Sequence, residues 1–140
     1  MKLLCVLMLT LMCSVVLSCQ DSGAGRWKQY SEDGVSTFSY DTQSLSRPSE
    51  QTARVWYKTR LKDPSAKGWF DSSGLKGLVE FNCADSMYRV LEIQFYDDQE
   101  KTLYTFTETS GEMPKTIWQW SHVEPENKSY APLFQIACKK

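Results

Sequence analysis

Between residues 53 and 62 the chain alternates: Ala53, Val55, Tyr57 and Leu61 fall on one side of an extended backbone, and Arg54, Trp56, Lys58, Arg60 and Lys62 on the other. Successive strand residues point to opposite faces, so this pattern predicts a strand with one face in a core and one in water. Trp56 is the odd member of the wet face. Upstream, segments 26–31 and 35–41 flank Glu32-Asp33-Gly34, whose Asp-Gly pair is a hairpin signal. Downstream, residues 78–82, 87–97 and 102–107 read as further strands, the last rich in Thr, Tyr and Phe. Within 87–97, Met87, Leu91, Ile93 and Phe95 are expected to share a face interrupted by Arg89, with Tyr88, Val90 and Tyr96 opposite. A short extended piece is predicted at 116–121. Residues 63–77 break the alternation with Pro64, Gly68, Gly74 and Gly77 around one apolar pair, Trp69-Phe70, which predicts a long loop or hairpin tip.

The period changes near the C-terminus. Tyr130, Leu133, Phe134 and Ala137 stand at i, i+3, i+4 and i+7, the apolar stripe of a helix laid on a core. Ser129 is the expected N-cap, and Lys139 and Lys140 suit the negative end of the helix dipole. The fold class that follows is α+β: a small antiparallel sheet of about six strands with one C-terminal helix packed on it.

The first residues obey a different rule. Leu3 to Leu17 holds no charged side chain, stands behind Lys2, and ends in Val16-Leu17-Ser18-Cys19 before the chain turns polar. This is the pattern of an export signal over residues 1–18. Small residues before the cut and Cys immediately after it resemble a bacterial lipoprotein signal, with Cys19 as the lipidated first residue. Ordinary signal peptidase cleavage and an uncleaved anchor of marginal length are the alternatives. Several acyl chains on one cysteine bury enough methylene for stable anchoring. Residues 19–25 then form a lipidated N-terminus and tether, and 26–140 the domain. Gln20, by resemblance to lipoprotein sorting, directs the protein to the outer membrane, with the periplasmic or the surface side left open.

Charge and cysteine content narrow the picture. The excised segment takes Lys2 with it, so the remainder is slightly more acidic than the net −1 of the whole chain. Such an exterior lacks the positive field a phosphate backbone requires, which excludes nucleic acid as a partner. Of the five cysteines, Cys5 and Cys13 leave with the signal and Cys19 is used by lipid. Cys83 and Cys138 remain, and in an oxidising compartment they are expected to be joined, stapling the helix to the sheet. Two cysteines without a CxxC spacing and a single histidine make no four-ligand zinc site, so no metal or other cofactor is expected.

No catalytic constellation stands out. A serine triad needs a base, and His122 is the only histidine, with no Gly-x-Ser-x-Gly elbow in the chain. Asp97, Asp98 and Glu100 crowd one tip and read as a charged turn, since a glycosidase pair comes from opposite walls of a cleft. The expectation is a protein that is not an enzyme. Aromatic residues carry the better lead: Trp118 and Trp120 are two apart and would share a face of an extended strand, with Trp56 on the wet side of its own. Such rings anchor protein partners, although the same rings fill cores. Arg54, Lys58 and Arg60 could meet an acidic partner or stand as a solvated face.

Taken in order over residues 26–138, several of these elements resemble a known family. They are Trp27, Phe38-Ser39-Tyr40-Asp41 ahead of Ser44-Leu45, Val55-Trp56-Tyr57-Lys58, Glu80-Phe81-Asn82-Cys83 followed by Tyr88-Arg89, and Trp118 ahead of Val123-Glu124-Pro125 and Cys138. The family is the surface-adhesin protein E-like domain. The resemblance implies a small antiparallel sheet with a packed helix on a lipoprotein, and binding to host extracellular-matrix proteins such as vitronectin and laminin. The leading reading is therefore a lipid-anchored, adhesin-like protein-binding module. A structural or assembly factor of the envelope, binding another envelope protein, and a small hydrolase are the alternatives.

Overall fold

The computed structural model describes residues 25–139. The export signal, the proposed lipidation at Cys19 and all but the last residue of the tether lie outside them. Seven strands are present, β1 (Trp27–Glu32), β2 (Ser36–Asp41), β3 (Thr52–Leu61), β4 (Gly74–Asn82), β5 (Met87–Tyr96), β6 (Thr102–Thr107) and β7 (Ser121–His122), followed by helix α1 (Tyr130–Cys138). Every pairing is antiparallel, in the order β1-β2-β3-β4-β5-β6. The two-residue β7 pairs Met87 and Tyr88 on the edge of β5 that β6 occupies further along. The α+β expectation holds.

One face of the sheet is covered. Ala53, Val55 and Tyr57 of β3, with Val79 and Phe81 of β4, are buried beneath Leu133 and Ala137 of α1. Burying one such leucine side chain is worth about 1.5–3 kcal/mol. A second cluster, Val90, Ile93, Phe95 and Phe106, is covered instead by Trp118. Cys83 and Cys138 are bonded, with Cα atoms 5.5 Å apart and 55 residues between them in sequence, which ties the end of β4 to the end of α1. Closing a loop of that length restricts the unfolded chain by about 4 kcal/mol on the chain-entropy estimate.

Four local expectations are corrected. First, the faces of β5 are not those that strict alternation assigns, because the register with β4 slips at Leu91. This β-bulge swaps parity, so Tyr88 and Val90 lie on the same covered face as Ile93 and Phe95. Second, residues 74–77 are strand, not loop. Both glycines there admit a tyrosine ring: Tyr57 lies across Gly77 on the covered face, and Tyr96 lies across Gly74 on the other, its hydroxyl donating to Thr59 O at 2.6 Å. A Cβ at either glycine would collide with the ring above it.

Third, residues 116–121 are not one extended piece. Pro114 opens a 3-10 turn at Lys115–Trp118, and its carbonyl accepts from Ile117 N at 3.1 Å. The turn rolls Trp118 into the core at 5 % exposure, while Trp120 beyond it stays at 37 %. The two tryptophans do not share a face, and Trp118 drops out of the predicted surface platform.

Fourth, Ser129 already has helical backbone angles and makes no side-chain cap. Asn127 is the cap, its Oδ1 accepting from Ser129 N at 3.0 Å and Tyr130 N at 2.9 Å. At the other end Arg47 reaches across, donating from Nη2 to Ala137 O at 2.8 Å and to Lys139 O.

The covered face also carries a tyrosine cluster. Tyr57 and Tyr130 hydroxyls are 2.8 Å apart, the Tyr130 ring stacks on Tyr88 at 4.1 Å, and Tyr30 donates to Ser129 O at 2.8 Å. Burial pushes the Tyr130 hydroxyl up to about 12, and burial together with Tyr130 pushes Tyr57 well above its ordinary value. Both serve as neutral hydrogen-bonding groups inside the core.

Candidate functional site

Among the described residues no helix lies over the opposite face of the same strands. Its residues are the alternates of the core set, and the register lays them out in rows. In the first row Arg54 of β3 pairs directly with Glu80 of β4, and Glu80 with Arg89 of β5. Glu80 is 4 % exposed and bonded on both sides, by Arg54 Nε on one oxygen and by Arg89 Nε and Nη2 on the other at 2.9 and 2.7 Å. Arg89 then lies against the Trp120 ring, its guanidinium carbon 4.8 Å from the centroid. Burial alone would raise the Glu80 carboxyl, but the bonds from Arg54 and Arg89, and their charges, outweigh it and hold the group below its ordinary value.

Another row is built from Lys58 and Lys76, paired across β3 and β4. Two like charges side by side need a counter-charge, and Glu100 in the turn after β5 supplies it: Lys58 Nζ is 3.0 Å from Oε1, Arg60 3.5 Å from the same oxygen and Lys76 3.8 Å from Oε2. Burial would raise the Glu100 carboxyl, yet Lys58 foremost, with Lys76 and Arg60, keeps it lowered. Trp27 from β1 roofs this row, with Lys58 Nζ 4.8 Å and Lys76 Nζ 5.9 Å from its ring. Between the rows Trp56 pairs with Leu78. The result is a partly exposed apolar centre bordered by ion-pair networks in which Arg54, Lys58, Arg60, Lys76 and Arg89 outnumber their carboxylate partners.

Of the residues singled out from sequence, Arg54, Trp56, Lys58 and Arg60 share this face through β3, and Trp120 joins it through Arg89. Glu80, Lys76, Arg89, Glu100 and Trp27 were not foreseen. They become visible only when β4 and β5 are set in register against β3, although the even-numbered Lys76, Leu78 and Glu80 carry a parity signal of their own. His122 is exposed on β7 opposite Met87. Asp97 caps its own turn, accepting from Gln99 N and Lys101 N at 3.0 and 2.9 Å.

Among the described residues the architecture is a meander of antiparallel strands with a helix stapled to one face and an aromatic and basic face opposite. The family model of surface-adhesin protein E matches residues 27–139, and the chain belongs to that family. Membership gives its functional class as an adhesin-like surface protein. No curated protein and no solved structure matches the chain. Among the described residues no helix is long and apolar enough to cross a membrane.

Proposed function

We propose that the protein is a non-enzymatic, lipid-anchored envelope module that docks a protein partner on the face of its sheet opposite α1. The observation that carries this reading is the arrangement around Trp56: an apolar Trp56–Leu78 centre, flanked by Arg54–Glu80–Arg89 on one side and Lys58, Lys76 and Glu100 on the other. Interfaces have this anatomy, with aromatic and arginine residues at the energetic centre and a polar rim. The excess of cations selects an acidic segment of the partner, and the partner this reading takes, from what the family resemblance implies, is an extracellular-matrix protein such as vitronectin or laminin. Lipid on Cys19 would hold the domain at the outer membrane, with residues 19–25 as the tether.

Two measurements test this. Intact mass of the membrane-purified protein is expected to show a chain starting at Cys19 with added acyl mass; an unmodified N-terminus removes the anchor. Binding to immobilised vitronectin and laminin is expected to weaken as salt rises, and to fall at least 30-fold, about 2 kcal/mol, in Trp120→Ala. Binding that ignores both salt and Trp120 would overturn the docking face.

A further inference from the structure

The covering of the core face has a gap. Helix α1 lies over β1, β3 and β4, and the 3-10 turn at Lys115–Trp118 lies over β5. Between them a cavity of about 390 Å³ opens, floored by Leu75 and Ile93 and walled by Met113, Ile117 and Tyr130. Its size falls within the range of small-molecule sites. Among the described residues no charged side chain lines it. The side-chain polar groups it offers are hydroxyls, those of Ser36, Thr59, Ser72 and the Tyr57–Tyr130 pair.

The rim is shaped by the loop between β3 and β4. Phe70 and Asp71 both have left-handed backbone angles, φ 59° and 57°, a conformation that costs non-glycine residues about 1 kcal/mol or more each. Phe70 is driven down onto Phe95 and Tyr104, with ring centroids 4.9 and 5.0 Å away. The loop closes on itself through Gly68 N donating to Ser72 O at 2.9 Å and Ser72 N donating to Trp69 O at 3.2 Å. Trp69 is thereby left at the cavity mouth, 69 % exposed, the most exposed of the large hydrophobic side chains among the described residues. The loop thus spends Phe70 on anchoring and leaves its neighbour Trp69 at the mouth of an apolar cavity.

We propose that this cavity binds a neutral, flat, largely apolar small molecule carrying a single uncharged hydrogen-bonding group, with Trp69 stacking over it. Neutrality follows from the lining: a carboxylate or phosphate would be desolvated with no cation to meet it. The basic residues Arg54, Lys58, Lys76 and Arg89 are all on the other face of the sheet. The site is independent of the docking face, so either can fail without the other.

The test uses the mature chain carrying Cys19→Ser, exported behind a signal that ordinary signal peptidase removes, which eliminates the proposed lipid attachment and the need for detergent. N-phenyl-1-naphthylamine, a neutral fluorescent arylamine, is expected to bind saturably at one molecule per chain. Its sulfonated analogue, 8-anilinonaphthalene-1-sulfonate, should bind at least 10-fold more weakly. Ile117→Trp fills the cavity and should abolish binding with an unchanged melting temperature. Trp69→Ala, at an exposed position that folding does not need, should weaken binding about 10-fold and decides the matter if Ile117→Trp does not fold. Absence of saturable binding, equal binding of the sulfonated probe, or retained affinity in Trp69→Ala would each overturn the site.

Discussion

The two faces of this sheet are made from alternate residues of the same strands, yet they meet the problem of burial in opposite ways. On the covered face Val55, Val79, Phe81 and Leu133 are removed from water outright, and the polar groups beside them include the neutral, mutually bonded phenols of Tyr57 and Tyr130. On the open face Glu80 is just as deeply buried, but by its own partners Arg54 and Arg89, which themselves remain partly exposed. The first arrangement gains free energy from transfer out of water. The second mainly avoids the penalty of a lone buried charge and gains little from exposed pairs. A surface bordered by ion pairs, with a tryptophan between them, can be covered by a partner without losing the contacts of the opposite core. On the proposed reading, most of the core lies on one face and the protein partner docks on the other.

Changes on the covered face should produce the largest losses of stability. Trp118→Ala empties the space above Val90 and Phe106 and is expected to cost about 3–5 kcal/mol. Cys138→Ser should cost about 4 kcal/mol by freeing the loop to Cys83. Denaturant titration measures both, and a native-like midpoint in either variant would break the comparison.

Gly74→Ala ranks next, because the added methyl meets Thr59 O and the Tyr96 ring together, and overpacking of this kind costs about 1–3 kcal/mol. Thermal melts of Gly74→Ala and Gly77→Ala would sharpen the point, since the two glycines serve opposite faces and both should destabilise.

On the open face, Glu80→Gln should cost about 2 kcal/mol at neutral pH by leaving two guanidinium groups without their charge partner. The sign of its pH dependence follows from the direction of the shift. Glu80, Glu100 and Asp41, the last held down chiefly by its bond from Arg26, all have lowered folded values. Their contribution is complete above the ordinary carboxylate range and disappears as pH falls through the depressed values. Stability of the native protein should therefore fall below about pH 4, and Glu80→Gln should show a shallower fall over the same window. The smallest effect is expected for His122→Ala, whose side chain stands in solvent: melt and binding should change by less than about 0.5 kcal/mol.

Where the two faces differ also decided what could be read from the sequence. Alternation in β3 is unbroken, so its core and wet residues were legible from spacing alone, as was the α1 stripe at Tyr130, Leu133, Phe134 and Ala137, while the pairing of Cys83 with Cys138 followed from cysteine count and compartment. Elements that depend on a neighbour were not. The bulge at Leu91 inverts β5 by a slip against β4 that no single strand displays. Gly74 and Gly77 look like loop residues until the rings of Tyr96 and Tyr57 are laid over them. Trp118 and Trp120 look like strand mates until Pro114 starts a turn between β6 and β7. The Arg54–Glu80–Arg89 row joins three strands and exists only in register.

Division of labour between the faces is tested most directly by hydroxyl-radical footprinting of the protein free and bound to an immobilised matrix protein. The account predicts that oxidation of Trp56 and Trp120 falls several-fold on binding, while Trp69, at the mouth of the cavity on the covered face, reacts as before. Protection of Trp69 and the α1 side with unchanged labelling of Trp56 and Trp120 would contradict it.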